Sequence, residues 1–337
     1  MIDKVIICGV RRAKELIPMG EIQQAIGRAG RSYNNSGEAI ILCPASDFNY
    51  AKSCLYEQSP PIISELVDIE KIAFHVLPWL DMIYDEESFQ KWYSRSLSFI
   101  QNKEIHWQEI FEYLYKMDCI DEECNITSFG NLSVKSYYSP TKLMLMKNKL
   151  SEVNANGQEL EPLAVSYILS SEYIPTANVD AYELSEYKSE ISSQGYLFEN
   201  GELIHGFAYY CILTNNIPKW IKHITISMRE DLSRLFNTLY LLAKNEGLNE
   251  FAENIKLFEI SALKKVHIDI AKIIKEFNVS KKSSAYELLE LGIENKNDLN
   301  NLEDKLIEYG SASLKKDLQE QGYLKDLLIK EWRNNNA

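Results

Sequence analysis

Gln24-Ala25-Ile26-Gly27-Arg28-Ala29-Gly30-Arg31 sets two arginines three positions apart with two glycines, and the rest of the chain is read outward from it. An arginine placed this way can stabilise charge developing on a transferred phosphoryl group, because its planar fork suits phosphate oxygens better than a lysine does. The glycines let the backbone come close to a phosphate. On either side stand short continuous apolar runs, Lys4 to Gly9 and Gly37 to Cys43, each with the pattern of a strand covered on both faces in a parallel sheet. Glu21 to Ala29 reads as the helix between them. Two strands and one helix cannot make a doubly wound domain, since both faces of each strand need cover. Residues 1–50 therefore read as the last strand-helix-strand of an α/β domain whose beginning lies elsewhere.

The other parts of a nucleotide site are absent from the sequence. No Gly-Lys dipeptide occurs, so there is no Walker A loop to cradle phosphates. Asp85-Glu86-Glu87-Ser88 and Asp121-Glu122-Glu123-Cys124 are the nearest approaches to a Walker B acidic box, and each lacks the fourth acid or histidine. A length of 337 residues predicts two or three domains, and 45% hydrophobic with 25% charged residues is ordinary globular composition. The longest apolar runs are too short to span a bilayer, so no membrane partner is expected. No secretory or transit signal is visible, and the six cysteines include no Cys-x-x-Cys pair. That argues against a zinc site or a disulfide framework and predicts a cytoplasmic home. The net charge of −13 excludes a protein that coats nucleic acid with its whole surface. The best basic stripe is Lys256 to Ala285, with seven lysines against three acids; it reads equally as a solvated helix face.

From Pro60 to about Leu150 the apolar spacing predicts helices over Ser64 to Trp79, Glu87 to Gln101 and Trp107 to Met117. Ile120 to Tyr138 reads as a β-wing and a following helix, with Thr127-Ser128-Phe129-Gly130 at the turn. Helix, helix, helix, wing is the order of a winged-helix domain. After a polar break at Ser151 to Glu159 the pattern is helical over Leu160–Ser170, Gly201–Leu213, Pro218–Ile221, Arg229–Asn245, Leu248–Leu257, Ser261–Phe277 and Ser283–Leu291. The predicted fold class is thus mostly α with a partial α/β segment.

Glu21 to Arg31, followed by Gly37-Glu38-Ala39-Ile40-Ile41, resembles motif VI and the next strand of Ski-like superfamily 2 helicases. The order of segments behind it is similar to the branch that holds the archaeal DNA-repair helicase and the helicase part of polymerase theta. The resemblance implies the end of the second RecA-like domain over 1–50, a winged helix over 60–150, a helical ratchet-like domain over 160–277 and a degraded helix-hairpin-helix tail over 278–337. It implies an ATP-dependent helicase acting on single-stranded or forked DNA, with RNA as the lesser option. ATP with Mg would be bound by a first RecA-like domain that another chain or another segment must supply, so this part alone is expected not to hydrolyse ATP. By position, Arg31 resembles the arginine finger and Arg28 its neighbour. Gln24 would orient the pair or touch the nucleotide, with Gly27 and Gly30 completing the cofactor-binding set. Thr127-Ser128-Phe129-Gly130 and Ser136-Tyr137-Tyr138 resemble the wing and the following helix of the family's winged-helix domain.

Asp231-Leu232-Ser233-Arg234 resembles the start of the ratchet helix, where Arg234 falls on an arginine that touches the strand. The family's stacking aromatic falls on Leu241, leaving Tyr240 beside it as the substitute. Asn278 to Ala285 has lost the glycines of a helix-hairpin-helix, so a backbone phosphate nest is not expected there, and Lys281 and Lys282 stand in electrostatically. Three plainer readings accompany these. Arg28 and Arg31 fit a solvated helix end, Arg234 fits an ion pair with Glu230 one turn away, and the whole chain fits a non-catalytic adaptor derived from a helicase tail.

Overall fold

Side-chain alternation settles how the N-terminal strands are used. In the computed structural model, Lys4–Cys8 (β1) pairs in parallel with Glu38–Leu42 (β4), Ile6 opposite Ile40 and Cys8 opposite Leu42. The structure describes residues 4–12, 15–30, 37–58, 61–101, 104–157, 160–170, 182–198, 201–301 and 303–323. It is mostly helical, 64% helix against 6% strand. Packing divides the chain into two units, Met1–Glu65 with Arg95–Lys103, and Leu66–Ser94 with Glu104–Ala337.

In the first unit, Arg11–Arg12 (β2) and Glu15–Leu16 (β3) form a small antiparallel ribbon that leads into helix α1 (Met19–Ile26). Helix α2 (Phe48–Tyr56) follows β4. Ile7 and Ile41, on one face of the sheet, pack against Val10, Ile22, Ala51 and Cys54. Among the described residues the opposite face has no such cover: Ile6 and Leu42 are each 57% exposed. The expectation of strands covered on both faces is therefore corrected to cover on one face, and each strand keeps one edge unpaired among the described residues. Arg11 closes the unit with a two-pronged ion pair to the buried Asp47, Nε to Oδ2 and Nη2 to Oδ1 both at 2.9 Å. Short helix α5 (Leu97–Ile100) belongs here too, because the Gln101 amide donates to Ile62 O at 2.8 Å and accepts from Ser64 N at 2.9 Å.

The second unit opens with α3 (Ile69–Val76), α4 (Glu86–Tyr93), α6 (Trp107–Lys116), α7 (Ser128–Ser136) and α8 (Pro140–Ala155). Then come α9 (Pro162–Leu169), α10 (Tyr182–Ser193), α11 (Glu202–Leu213), α12 (Lys222–Arg229), α13 (Leu232–Asn245) and α14 (Asn249–Lys264). It ends with α15 (Ile268–Phe277), α16 (Lys282–Glu290), α17 (Lys296–Asn301), α18 (Glu303–Tyr309) and α19 (Ala312–Glu320). The expected wing reduces to one bridge, Ile120 to Ile126. Thr127 is not its turn but the N-cap of α7, its hydroxyl accepting from Gly130 N at 3.0 Å. Gly130 is required there, since a Cβ would lie 2.2 Å from Cys119 O.

Two apolar clusters fill this unit, one running from Ile72 to Ala262 and one from Val266 to Leu318. The expected separation of 60–150 from 160–277 is not one of cores, because α8 carries buried Leu150 and Val153 across it into the first cluster. The second apolar cluster begins at Val266, just after Lys265 takes a left-handed conformation (φ 54°) at the end of α14. Ser261–Phe277 is accordingly two helices. Pro218–Ile221 forms a turn before α12.

Candidate nucleotide and strand-binding residues

Helix α1 stops because its last amides switch to shorter-range bonds, Arg28 N to Ala25 O at 3.1 Å and Ala29 N to Ile26 O at 3.0 Å. Gly30 then turns the chain with φ +64°. Gln24, Gly27 and Arg28 lie exposed on this corner, and Arg28 has no ion-pair partner among the described residues. Arg31 lies outside the described residues, so the second arginine of the motif is known here from sequence alone. The two glycines nearest Arg28 differ in kind. A Cβ on Gly37 would stand 2.4 Å from both Ala29 C and Gly30 N, so the start of β4 packs directly on the corner. Gly27, with φ −65°, would meet only Gln23 O at 3.5 Å and Gln24 O at 3.7 Å. The fold needs glycine at 37 and gives no reason for it at 27.

The two acidic runs prove to be backbone clamps. Asp85 caps α4, accepting from Ser88 N at 2.8 Å, which with the Ser88 hydroxyl holds its carboxyl below the usual carboxylate range. Asp121 organises its own turn, taking Asn125 N at 2.8 Å and Glu123 N at 2.9 Å.

Arg234, on the first turn of α13, pairs with Asp231 rather than Glu230, its Nε reaching Oδ1 at 2.7 Å. Its Nη1 donates to the carbonyls of Ser136 and Tyr137 at 3.3 and 3.4 Å, and the guanidinium lies 4.6 Å from the Tyr138 ring centroid. The Arg234 hydrogen bonds, working against burial, draw the Asp231 carboxyl below its ordinary value. Arg234 thus ties α13 to the end of α7. It also rims a cleft of about 410 Å³ shared with Tyr137, Lys142, His205 and Tyr209.

Tyr240 is not brought to that cleft. Six residues along a helix turn it about 120° away from Arg234, and its ring lies 4.7 Å from Lys256 Nζ and 5.7 Å from Lys244 Nζ. It does not replace the aromatic that Leu241 lacks.

Between α15 and α16, where no phosphate nest is expected, the backbone amides are taken up within the chain. Asn278 supplies the left-handed residue (φ 51°) that a glycine would have supplied. The amides of Ser280 and Lys281 do converge, but on the chain's own Asp317, at 3.2 and 3.3 Å, with the Ser280 hydroxyl at 3.0 Å. Lys281 reaches Ser313 Oγ at 3.1 Å, and Lys282 is exposed at the first turn of α16. Much of the lysine stripe is engaged: Lys256 with Glu259, Lys272 with Asp269 and Lys275 with Glu253.

Sequence reasoning missed Asp317 and Lys142 altogether, and it placed Tyr137 only in the helix after the wing. Nothing local marks a carboxylate that serves a turn 36 residues away. In comparisons with known proteins, no family model and no curated sequence matches the chain. No helix among the described residues is long and apolar enough to cross a membrane.

Proposed function

We propose that this chain supplies the arginine-bearing corner and the strand-binding helical part of an ATP-dependent nucleic-acid helicase, acting on DNA. In this reading ATP and Mg are held by a Walker-bearing RecA-like domain from another chain or segment, and Arg28 and Arg31 reach its γ-phosphate. The observation that carries the reading is the corner itself. Arg28 is exposed beside Gly27, a glycine its own fold does not need, and a phosphate drawn against the backbone gives that glycine a purpose. The open apolar face of β1 and β4 supports it, since such a sheet face calls for cover.

The test is reconstitution. The purified chain alone is expected to show no ATPase rate above background. Combined with a RecA-like domain carrying a Gly-Lys-Thr loop, it is expected to show DNA-stimulated hydrolysis that falls by roughly a thousandfold in Arg31→Ala. Hydrolysis by the chain alone, or a full rate in Arg31→Ala, sinks the proposal. A second reading, a non-catalytic adaptor, is favoured by the internal use of Arg234 and of the nest that Asp317 fills. It predicts that Arg28→Ala and Arg31→Ala leave the activity of any assembly containing the chain intact.

A further inference from the structure

Six non-glycine residues among those described have positive φ, and only one of them, Tyr137, is aromatic. It closes α7 in the left-handed region (φ 57°, ψ 39°), a position that favours glycine or asparagine and penalises a bulky side chain. The strain brings little burial in return, for Tyr137 remains 65% exposed. An exposed aromatic held in an unfavourable backbone conformation asks for a reason outside the fold. Its surroundings supply one. Phe74 meets the ring edge-on with centroids 5.3 Å apart, which sets its orientation, and Arg234 holds the Tyr137 carbonyl. Tyr137 lines the 410 Å³ cleft together with Lys142, Arg234 and Asp231.

We propose that Tyr137 is a stacking platform for one base of a single-stranded DNA segment, with Lys142 placed for the adjoining phosphate. This rests on the helicase reading and moves the aromatic grip from α13, where Leu241 and Tyr240 do not provide it, to the end of α7. Planar bases stack on an exposed tyrosine irrespective of sequence, and a nearby cation adds a salt-dependent phosphate contact.

The full chain is titrated against a fluorescent 20-nucleotide oligothymidylate and against an abasic strand of the same length, following anisotropy at several salt concentrations. Tyr137→Asn and Tyr137→Gly, both suited to the left-handed position, are expected to keep the thermal midpoint and to weaken oligothymidylate binding by roughly 5- to 150-fold. Neither should change binding to the abasic strand, and Tyr137→Phe should bind as the parent does. Lys142→Gln is expected to reduce the salt slope by about 1. If the parent binds oligothymidylate and Tyr137→Asn and Tyr137→Gly bind it equally well, this inference fails while the helicase reading stands. If Tyr137→Phe loses as much as Tyr137→Asn, the hydroxyl rather than the ring is at work and the platform is overturned. If the parent binds neither strand, the inference and the strand-binding part of the helicase reading fall together, and the arginine-dependent ATPase assay then judges the remainder.

Discussion

A methyl group separates two glycines that the sequence presents as equals. At Gly130 an added Cβ would sit 2.2 Å from Cys119 O and 2.9 Å from Ile126 Cγ1, so α7 would have to lift off the bridge beneath it. Gly130→Ala is expected to cost about 1–3 kcal/mol, the range for overpacking, read as a shift of denaturant midpoint at unchanged slope. At Gly27 the same methyl meets nothing closer than 3.5 Å, and Gly27→Ala is expected to stay within about 0.5 kcal/mol of the parent. A large destabilisation at Gly27 would give that glycine a structural purpose and remove the argument for a ligand. Gly27 and Gly30 were legible as motif residues, but that one turns the chain and the other leaves space could not be told from their spacing.

Among elements, α8 carries the feature least visible beforehand. Lys149 falls on the buried side of this helix, near Met146 and Val153, with its side chain 4% exposed. It donates to Glu202 Oε2 at 2.7 Å, Ser170 O at 2.6 Å and Ser170 Oγ at 2.9 Å, and lies 5.0 Å from the Tyr167 ring centroid. One charge thereby pins α8, α9 and α11 together. Lys149→Met should remove the charge partner of the buried Glu202 and cost about 3–5 kcal/mol, and pairing it with Glu202→Leu should recover much of that loss. A double variant no better than the single would show that geometry, not charge balance, is what the pair provides. Apolar periodicity located most helices near their observed positions, because burial of one stripe is what fixes them. It failed where a single residue intervenes without breaking the pattern, as at Lys265, and where a polar helix such as α19 folds on its Ser311 cap and tertiary contact. Hydrophobic period alone could not predict that Thr127 would cap a helix instead of turning a hairpin.

At the level of the molecule, seven carboxyls among the described residues are held below their ordinary values, and Asp47, Asp231 and Asp317 illustrate the expected response to acid. Arg11 holds the Asp47 carboxyl down and Arg234 does the same for Asp231; at Asp317 burial pushes upward but is outweighed by the Ser280 and Lys281 donors. Each folded value lies below the ordinary 3.8, so each contributes stability that is complete above the unfolded value and is lost as pH falls through the folded one. Thermal midpoints should be level through neutrality and drop below about pH 4, with a shallower drop in Asp317→Asn. Equal slopes in the two proteins would show that Asp317 carries none of the effect. Among the described residues, the first unit buries only Val10, Ile22, Ala51 and Cys54 in its apolar cluster, so its amides are expected to exchange faster than those of α11 or α13. The route of the chain carries one more consequence. Because the polypeptide leaves the first unit after Glu65, returns for Arg95–Lys103 and leaves again, no single cut yields two intact pieces. A protease nicking near residue 60 would free a fragment without its Gln101 strap. Efforts to dissect this protein by truncation must therefore either graft residues 95–103 back onto the first unit by a linker or keep both units in one chain.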